Sequence, residues 1–335
     1  MIRHASLCTP LLTCSLALAG CGADGTRATP FPNGASGSGG SSSESNGAGG
    51  ARTWDLPDVT FHMDGKVLAG GESQSCQYVH MPSDRGEIAV PSAESTYTPG
   101  SHHFLVFRTN FTEIPDDGAI HECSVNDLLL NVSGTYYEAQ QPETRRDLPP
   151  GVAHVFEPGE IILLTAHYLN ATDQDLVTKV DFRMHTMPRK EVEQEAGSFF
   201  FYNYDINVPP QSKVSVTRTC PIPKDVNLAL LWSHMHARGV GFIAVTSDDR
   251  AAERVGNLFE TRDWSEPQAR AFSYAPPVVL HAGTSITYTC DYDNPTSNTF
   301  TQGPSAATNE MCILHGMYWP RLPASVETCL NGTAD

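Results

Sequence analysis

Short runs of β-branched and aromatic residues, separated by turn-forming residues, recur from residue 58 to the end of the chain. "HFLVFRTN", "GEIILLTAHYLN", "FFFYNYDINV", "KVSVTRTC", "NLALLWSHMHA", "GFIAVTSD" and "TSITYTCDYDN" are separated by "TPGS", "PPG", "EPGE", "VPPQ" and "NPTSN". Such runs favour strands, and the intervening residues favour tight turns. Long amphipathic helices are scarce. "DRAAERVGNLFETRD", 249–263, is the one fair candidate, and Gly256 weakens it. The pattern predicts an all-β chain built of sandwiches.

The two prolines of "NVPPQ", 207–211, interrupt any continuous sheet pairing. They suggest an N-terminal domain at 54–205 and a C-terminal domain at 206–335. Different material precedes both. Residues 1–20 read as an export signal, with Arg3 ahead of the apolar "LLTCSLALAG". That stretch is too short to remain as a membrane span. It runs into "LAGC", a pattern resembling a bacterial lipobox, so Cys21 is expected to become the lipidated first residue. Residues 21–53 are rich in glycine and serine and read as a flexible tether. The folded part is thus expected in the periplasm or at the cell surface of a bacterial envelope. Gly22 after Cys21 favours the outer membrane. The lipid anchor is the only membrane attachment expected, because no later apolar run is long enough to span a bilayer. A formal charge of −17 argues against nucleic acid as a partner. Nothing in the chain sets an oligomeric state.

Nine cysteines are present. Cys8 and Cys14 leave with the signal and Cys21 carries lipid. Cys76, Cys123, Cys220, Cys290, Cys312 and Cys329 remain, an even set in an exported chain, which favours disulfides. The number alone allows about fifteen pairings. None of the six forms a CxxC pair, which argues against a structural zinc site.

Thirteen histidines stand out. His62, His80, His121, His154, His185 and His281 lie singly among polar or turn residues and read as surface or hydrogen-bonded groups. Others cluster. His102 and His103 are adjacent in "SHHFLVF", His167 ends an apolar strand, and His234 and His236 are two apart in "SHMHARG". Residues i and i+2 of a strand share a face, so the HxH pair can chelate one metal. Adjacent residues do not share a face. If His102 and His103 reach one ion, the strand must be irregular there, or the rings must bind through different nitrogens. Pro99 and Gly100 put the pair at the start of a strand, where irregularity costs least. Met311 supplies a soft thioether suited to Cu(I). Its neighbour Cys312, if disulfide-bonded, would pin the backbone there.

"SHHFLVF", "LLTAHYLN", "SHMHARG" and "NEMCILHGMYW" occur in that order and together resemble the metal motifs of the copper type II, ascorbate-dependent monooxygenases. The peptidylglycine α-hydroxylating and dopamine β-monooxygenases belong to that family. The resemblance spans about 54–335. It implies two tandem antiparallel jelly-roll sandwiches with an open cleft between them. It implies two mononuclear copper sites: His102, His103 and His167 for electron delivery, and His234, His236 and Met311 on the oxygen and substrate side. It also implies the pairs Cys76–Cys123, Cys220–Cys329 and Cys290–Cys312. The implied reaction uses ascorbate and O₂ to hydroxylate an unactivated C–H bond of a small organic substrate.

Substrate contacts carry over less well. The peptide-hydroxylating branch has an arginine two residues before its HxH, where this chain has Trp232. The same branch has asparagine and tyrosine two and four residues after the methionine, where this chain has Ile313 and His315. The departures argue against a peptide carboxylate clamp and towards an apolar or aromatic substrate touching Trp232, Ile313 and His315. His315 reads equally as a hydrogen-bonding neighbour of a ligand. Two rival functions compete with hydroxylation. One is an envelope copper-binding or electron-transfer lipoprotein, and the other a metal-free glycan- or protein-binding sandwich.

Overall fold

In a computed structural model, residues 56–124 and 126–330 are described, and they belong to one compact unit. Expectations for the signal, Cys21 and the tether fall outside the described residues. No helix among the described residues is long and apolar enough to cross a membrane.

The chain is all-β, as its turn-punctuated runs require. An antiparallel sheet has the order His121–Glu122, Glu72–His80, Ile161–Leu169, Ser101–Thr109, Val132–Ala139. A second sheet contains Val59–Val67, Leu176–Met187 and Ile88–Tyr97. The two close on a core that includes Phe104, Val106, Ile162 and Leu164 from the first and Val59, Met63, Val180 and Phe182 from the second. Alternate residues of each strand supply this core, which is the period-two rule at work.

A further pair of sheets encloses another core. One contains Val226–Met235, Cys312–Trp319 and Gly197–Tyr202, and the other Ser212–Ile222, Thr284–Asn294 and Gly239–Thr246. Phe199, Leu228 and Leu314 meet Phe242, Ile286 and Tyr288 between them. Gly197–Tyr202 precedes the "NVPPQ" segment yet pairs along Cys312–Trp319.

A third apolar cluster joins the outer faces of these two assemblies. Leu105, Phe107 and Leu163 from one sheet pack with Phe200, Tyr202 and Ile313 from the other. Leu105 and Phe107 are the residues that alternation points away from the first core. This shared face is where the histidines lie.

The expected helix at 249–263 is shorter. It covers Asp249–Val255, with Asp248 capping it through the backbone N–H groups of Arg250 and Ala251. Gly256 takes φ 67 and ends it, and Phe259–Thr261 then pairs as a strand with Phe242–Ala244. The glycine that weakened the helix therefore stops it.

Candidate functional site

His103, Leu105 and Phe107 share one strand face, so His103 points to the joined faces. By strict alternation His102 would point into the core with Phe104. It does not. The register between Ser101–Thr109 and Ile161–Leu169 slips between Ser101 and His103, so His102 is the extra residue of a bulge. The two imidazole centroids are 4.9 Å apart and both rings are buried. The neighbouring strand supplies His167, directly opposite His103, with ring centroids 5.0 Å apart.

The other sheet brings His234 and His236 to the same place. His234 lies opposite Ile313, and Trp232 opposite His315, so these four share a face. The His234 centroid is 4.9 Å from His102 and 4.9 Å from His103. His236 lies 5.1 Å from His102 and 5.4 Å from His234. The five histidines of the two expected ligand sets thus share one buried cluster and are not held apart by an open cleft. Met311 lines the adjoining cavity with His103 and His234.

Within the cluster His102 Nε2, His103 Nδ1, His234 Nε2 and His236 Nε2 are buried with no hydrogen-bond partner, as are His154 Nε2 and both ring nitrogens of His315 outside it. Each unmet nitrogen costs about 1–3 kcal/mol. Burial, reinforced by the neighbouring imidazoles, drives His102, His103 and His236 well below the usual histidine range. Burial also lowers His234, against the pull of Glu138. The rings are therefore neutral near pH 7, which is the form that binds a metal. Uncharged, inward-facing nitrogen donors with a thioether nearby fit copper.

Outer groups hold the rings. Glu72 Oε1 accepts from His167 Nε2 at 2.7 Å, and its other oxygen accepts from Ser305 Oγ at 2.8 Å. The hydrogen bond from His167, more than any other contact, holds the Glu72 carboxyl at about 2. Gln140 Oε1 lies 2.9 Å from His234 Nδ1, and the Asn309 carbonyl 3.1 Å from His236 Nδ1. Glu310 accepts from the backbone N–H groups of His236 and Arg238, and burial pushes it up to about 7.

Glu138 is fully buried in the cavity wall. It accepts from Trp232 Nε1 and lies 3.5 Å from His234 Nδ1. His315 Nε2 is 2.9 Å from it. Burial acts to raise the carboxyl, but the nearby His315 and His234 side chains outweigh it and hold it below the usual range. Sequence reasoning missed Glu138, Gln140 and Glu72. The signal was a lone acid inside the apolar "GTYYEAQ" strand, on the same face as Leu105.

The cavity holds about 290 Å³. Leu105, Phe107, Phe200 and Ile313 form apolar wall, and His315 and Glu138 form a polar end. Ile313 and His315 both line it. Trp232 does not line it; its indole stacks behind His315 at 5.5 Å.

The disulfides are Cys76–Cys123, Cys220–Cys329 and Cys290–Cys312, the pairing that the resemblance implies. Five of the isolated histidines have polar partners: His62 Asp181, His80 the Gly159 carbonyl, His121 the Ala119 carbonyl, His185 Asp58 and His281 Asp248. His154 is buried edge-on to Tyr136 and hydrogen-bonds the backbone of Ala196.

Residues 196–334 match the family model "Copper type II ascorbate-dependent monooxygenase, C-terminal domain". The matched span contains His234, His236 and Met311, and begins after His102, His103 and His167. Tyramine beta-hydroxylase of Caenorhabditis briggsae is 28% identical over 135 residues, covering 38% of this chain and 23% of that protein. Together the two matches support the copper type II monooxygenase family. Among solved structures, the major capsid protein P2 of bacteriophage PM2 aligns at 9% identity over 80% of this chain and 100% of that one, TM-score 0.33. The STIV MCP aligns at 10% identity over 79% and 97%, TM-score 0.36. Likeness at that level carries no argument.

Proposed function

We propose that this protein is a copper- and ascorbate-dependent monooxygenase that hydroxylates a C–H bond of a small organic substrate. The observation that carries the reading is the convergence of buried, unpartnered histidine nitrogens beside a cavity that Met311 also lines. Two coppers are assigned to His102, His103 and His167, and to His234, His236 and Met311. Copper bound by these residues supplies one-electron redox chemistry with O₂. The chain's own groups do the rest. Glu72, Gln140 and the Asn309 carbonyl fix ring orientations, as outer-shell partners of metal ligands do. Leu105, Phe107 and Phe200 exclude water, and the cavity of about 290 Å³ admits only a small molecule. Ile313 and His315 contact it, and Trp232 supports His315 from behind. A lipid on Cys21 anchors the enzyme to the envelope.

The test is copper content and turnover of the purified chain. Two coppers per chain are expected, with ascorbate-supported O₂ uptake that depends on a substrate found by screening phenethylamines, phenols and short peptides. A chain that binds no copper overturns the reading. Copper binding without substrate-dependent uptake across that screen replaces it with copper storage or electron transfer. Met311→Ile should abolish uptake under the first reading and only weaken copper binding under the second.

A further inference from the structure

One carboxylate reaches from one sheet assembly to the other beside the histidine cluster. Glu72 opens the Glu72–His80 strand, two residues from Gln74, which lies opposite His167. Residues two apart share a face, so Glu72 and His167 project to the same side of the sheet. Glu72 Oε1 accepts from His167 Nε2 at 2.7 Å and from the Ala306 backbone N–H at 2.9 Å, and its Oε2 accepts from Ser305 Oγ at 2.8 Å. The carboxylate only accepts, so His167 carries its proton on Nε2 and keeps Nδ1, on the side of His103, for a metal.

Ser305 and Ala306 belong to the connection between Phe300–Thr301 and Cys312–Trp319, in the other assembly. No strand or helix runs through 303–309, so side-chain contacts set its position. The run then leads straight to the second ligand set. Arg238 donates to the Ala306 and Ala307 carbonyls, the Asn309 carbonyl lies 3.1 Å from His236 Nδ1, and Met311 follows two residues later. Gly303, Pro304, Asn309 and Met311 also line the cavity.

We propose that Glu72 is a positioning residue shared by both ligand sets. It orients His167, and it clamps the 305–311 run, with Met311 and the Asn309 carbonyl that holds His236, onto the opposite sheet assembly. Hydrogen bonds to an ionised acceptor are shorter and stronger than neutral ones, which suits one carboxylate to this work. The consequence for copper rests on the copper reading above. The clamp itself is a property of the metal-free chain.

The experiment is hydrogen–deuterium exchange of the metal-free full chain, followed by anaerobic Cu(I) loading and X-ray absorption. Glu72→Ala should speed exchange across 305–309 about tenfold or more, the loss of a hydrogen bond to a charged group, and leave Ile286 and Tyr288 in the second core unchanged. Glu72→Gln should stay near wild type, because its amide oxygen still accepts from His167 and Ala306 and its amide nitrogen donates to Ser305. On loading, Glu72→Ala should weaken the sulfur scatterer of Met311 and lower copper affinity about 10–100-fold, and Glu72→Gln should restore both. Unchanged exchange across 305–309 in Glu72→Ala overturns the clamp and leaves the monooxygenase reading standing. A rise spread evenly over both cores also overturns it, because that is loss of global stability. Wild-type chain that binds no copper overturns the copper reading and the shared ligand role, while the exchange result still decides the clamp. If Glu72→Ala fails to fold, Glu72→Asp withdraws the carboxylate by one methylene and should speed the same amides about threefold or more; no change there overturns the proposal.

Discussion

A single inserted residue decides whether "HH" is a ligand pair. In a regular strand His102 would lie in the core beside Phe104. The bulge turns it, and the two rings present different nitrogens, Nε2 and Nδ1. Both outcomes follow from the period-two constraint on adjacent residues, so this part of the site was legible in seven residues. Glu138 was not, because its meaning depends on His234 and Trp232, 94 or more residues away in contacts that no local pattern records. Glu138→Gln keeps the volume and removes the charge beside His234. It should lower copper affinity about 10–100-fold, measured by competition titration, with the metal-free fold unchanged by circular dichroism.

At the scale of elements, one device is used twice. Asn170 follows the Ile161–Leu169 strand, and its Nδ2 donates to the carbonyls of Val67, Leu68 and Gln174 while Oδ1 accepts from Thr172. Asn294 ends the Thr284–Asn294 strand, with Nδ2 donating to Val208, Pro209 and Asn298 and Oδ1 accepting from Thr296. "NAT" and "NPT" are too short to announce a repeat, and the equivalence emerges only from the contacts. Asn294→Ala should cost roughly 2–4 kcal/mol, several hydrogen bonds at about 1 kcal/mol each, in urea denaturation. The Cys290–Cys312 bridge acts nearby. It spans 22 residues and anchors the strand that begins beside Met311, contributing about 3 kcal/mol by loop entropy.

For the whole molecule, burial of titratable side chains sets how stability depends on pH. His102, His103, His154 and His236 all sit well below their ordinary range because of burial. A depressed histidine binds fewer protons in the folded than in the unfolded chain. Its contribution to stability is present above the unfolded value, about 6.5, and falls away as pH drops towards the folded value. Glu310, raised to about 7, acts with the opposite sign and stabilises the fold as pH falls towards about 4.5. With His234 also lowered, five histidines outnumber the two raised carboxyls, Glu310 and Glu327. Metal-free protein should therefore lose stability between pH 6.5 and 5, by more than about 1.4 kcal/mol per pH unit, and chelator-treated melts at stepped pH measure it.

The sequence by itself determined the β class, the strand faces and the residue types able to bind copper, because period-two alternation, turn chemistry and donor softness are local properties. It also carried the motif order that led to the metal reading. Tertiary structure decided which donors meet. The outer faces of two sheet assemblies press together, so five histidines share one buried cluster and Glu72, Glu138 and Gln140 orient them from strands distant in the chain. Distance in space between remote strands is set by packing, and no spacing within a strand encodes it.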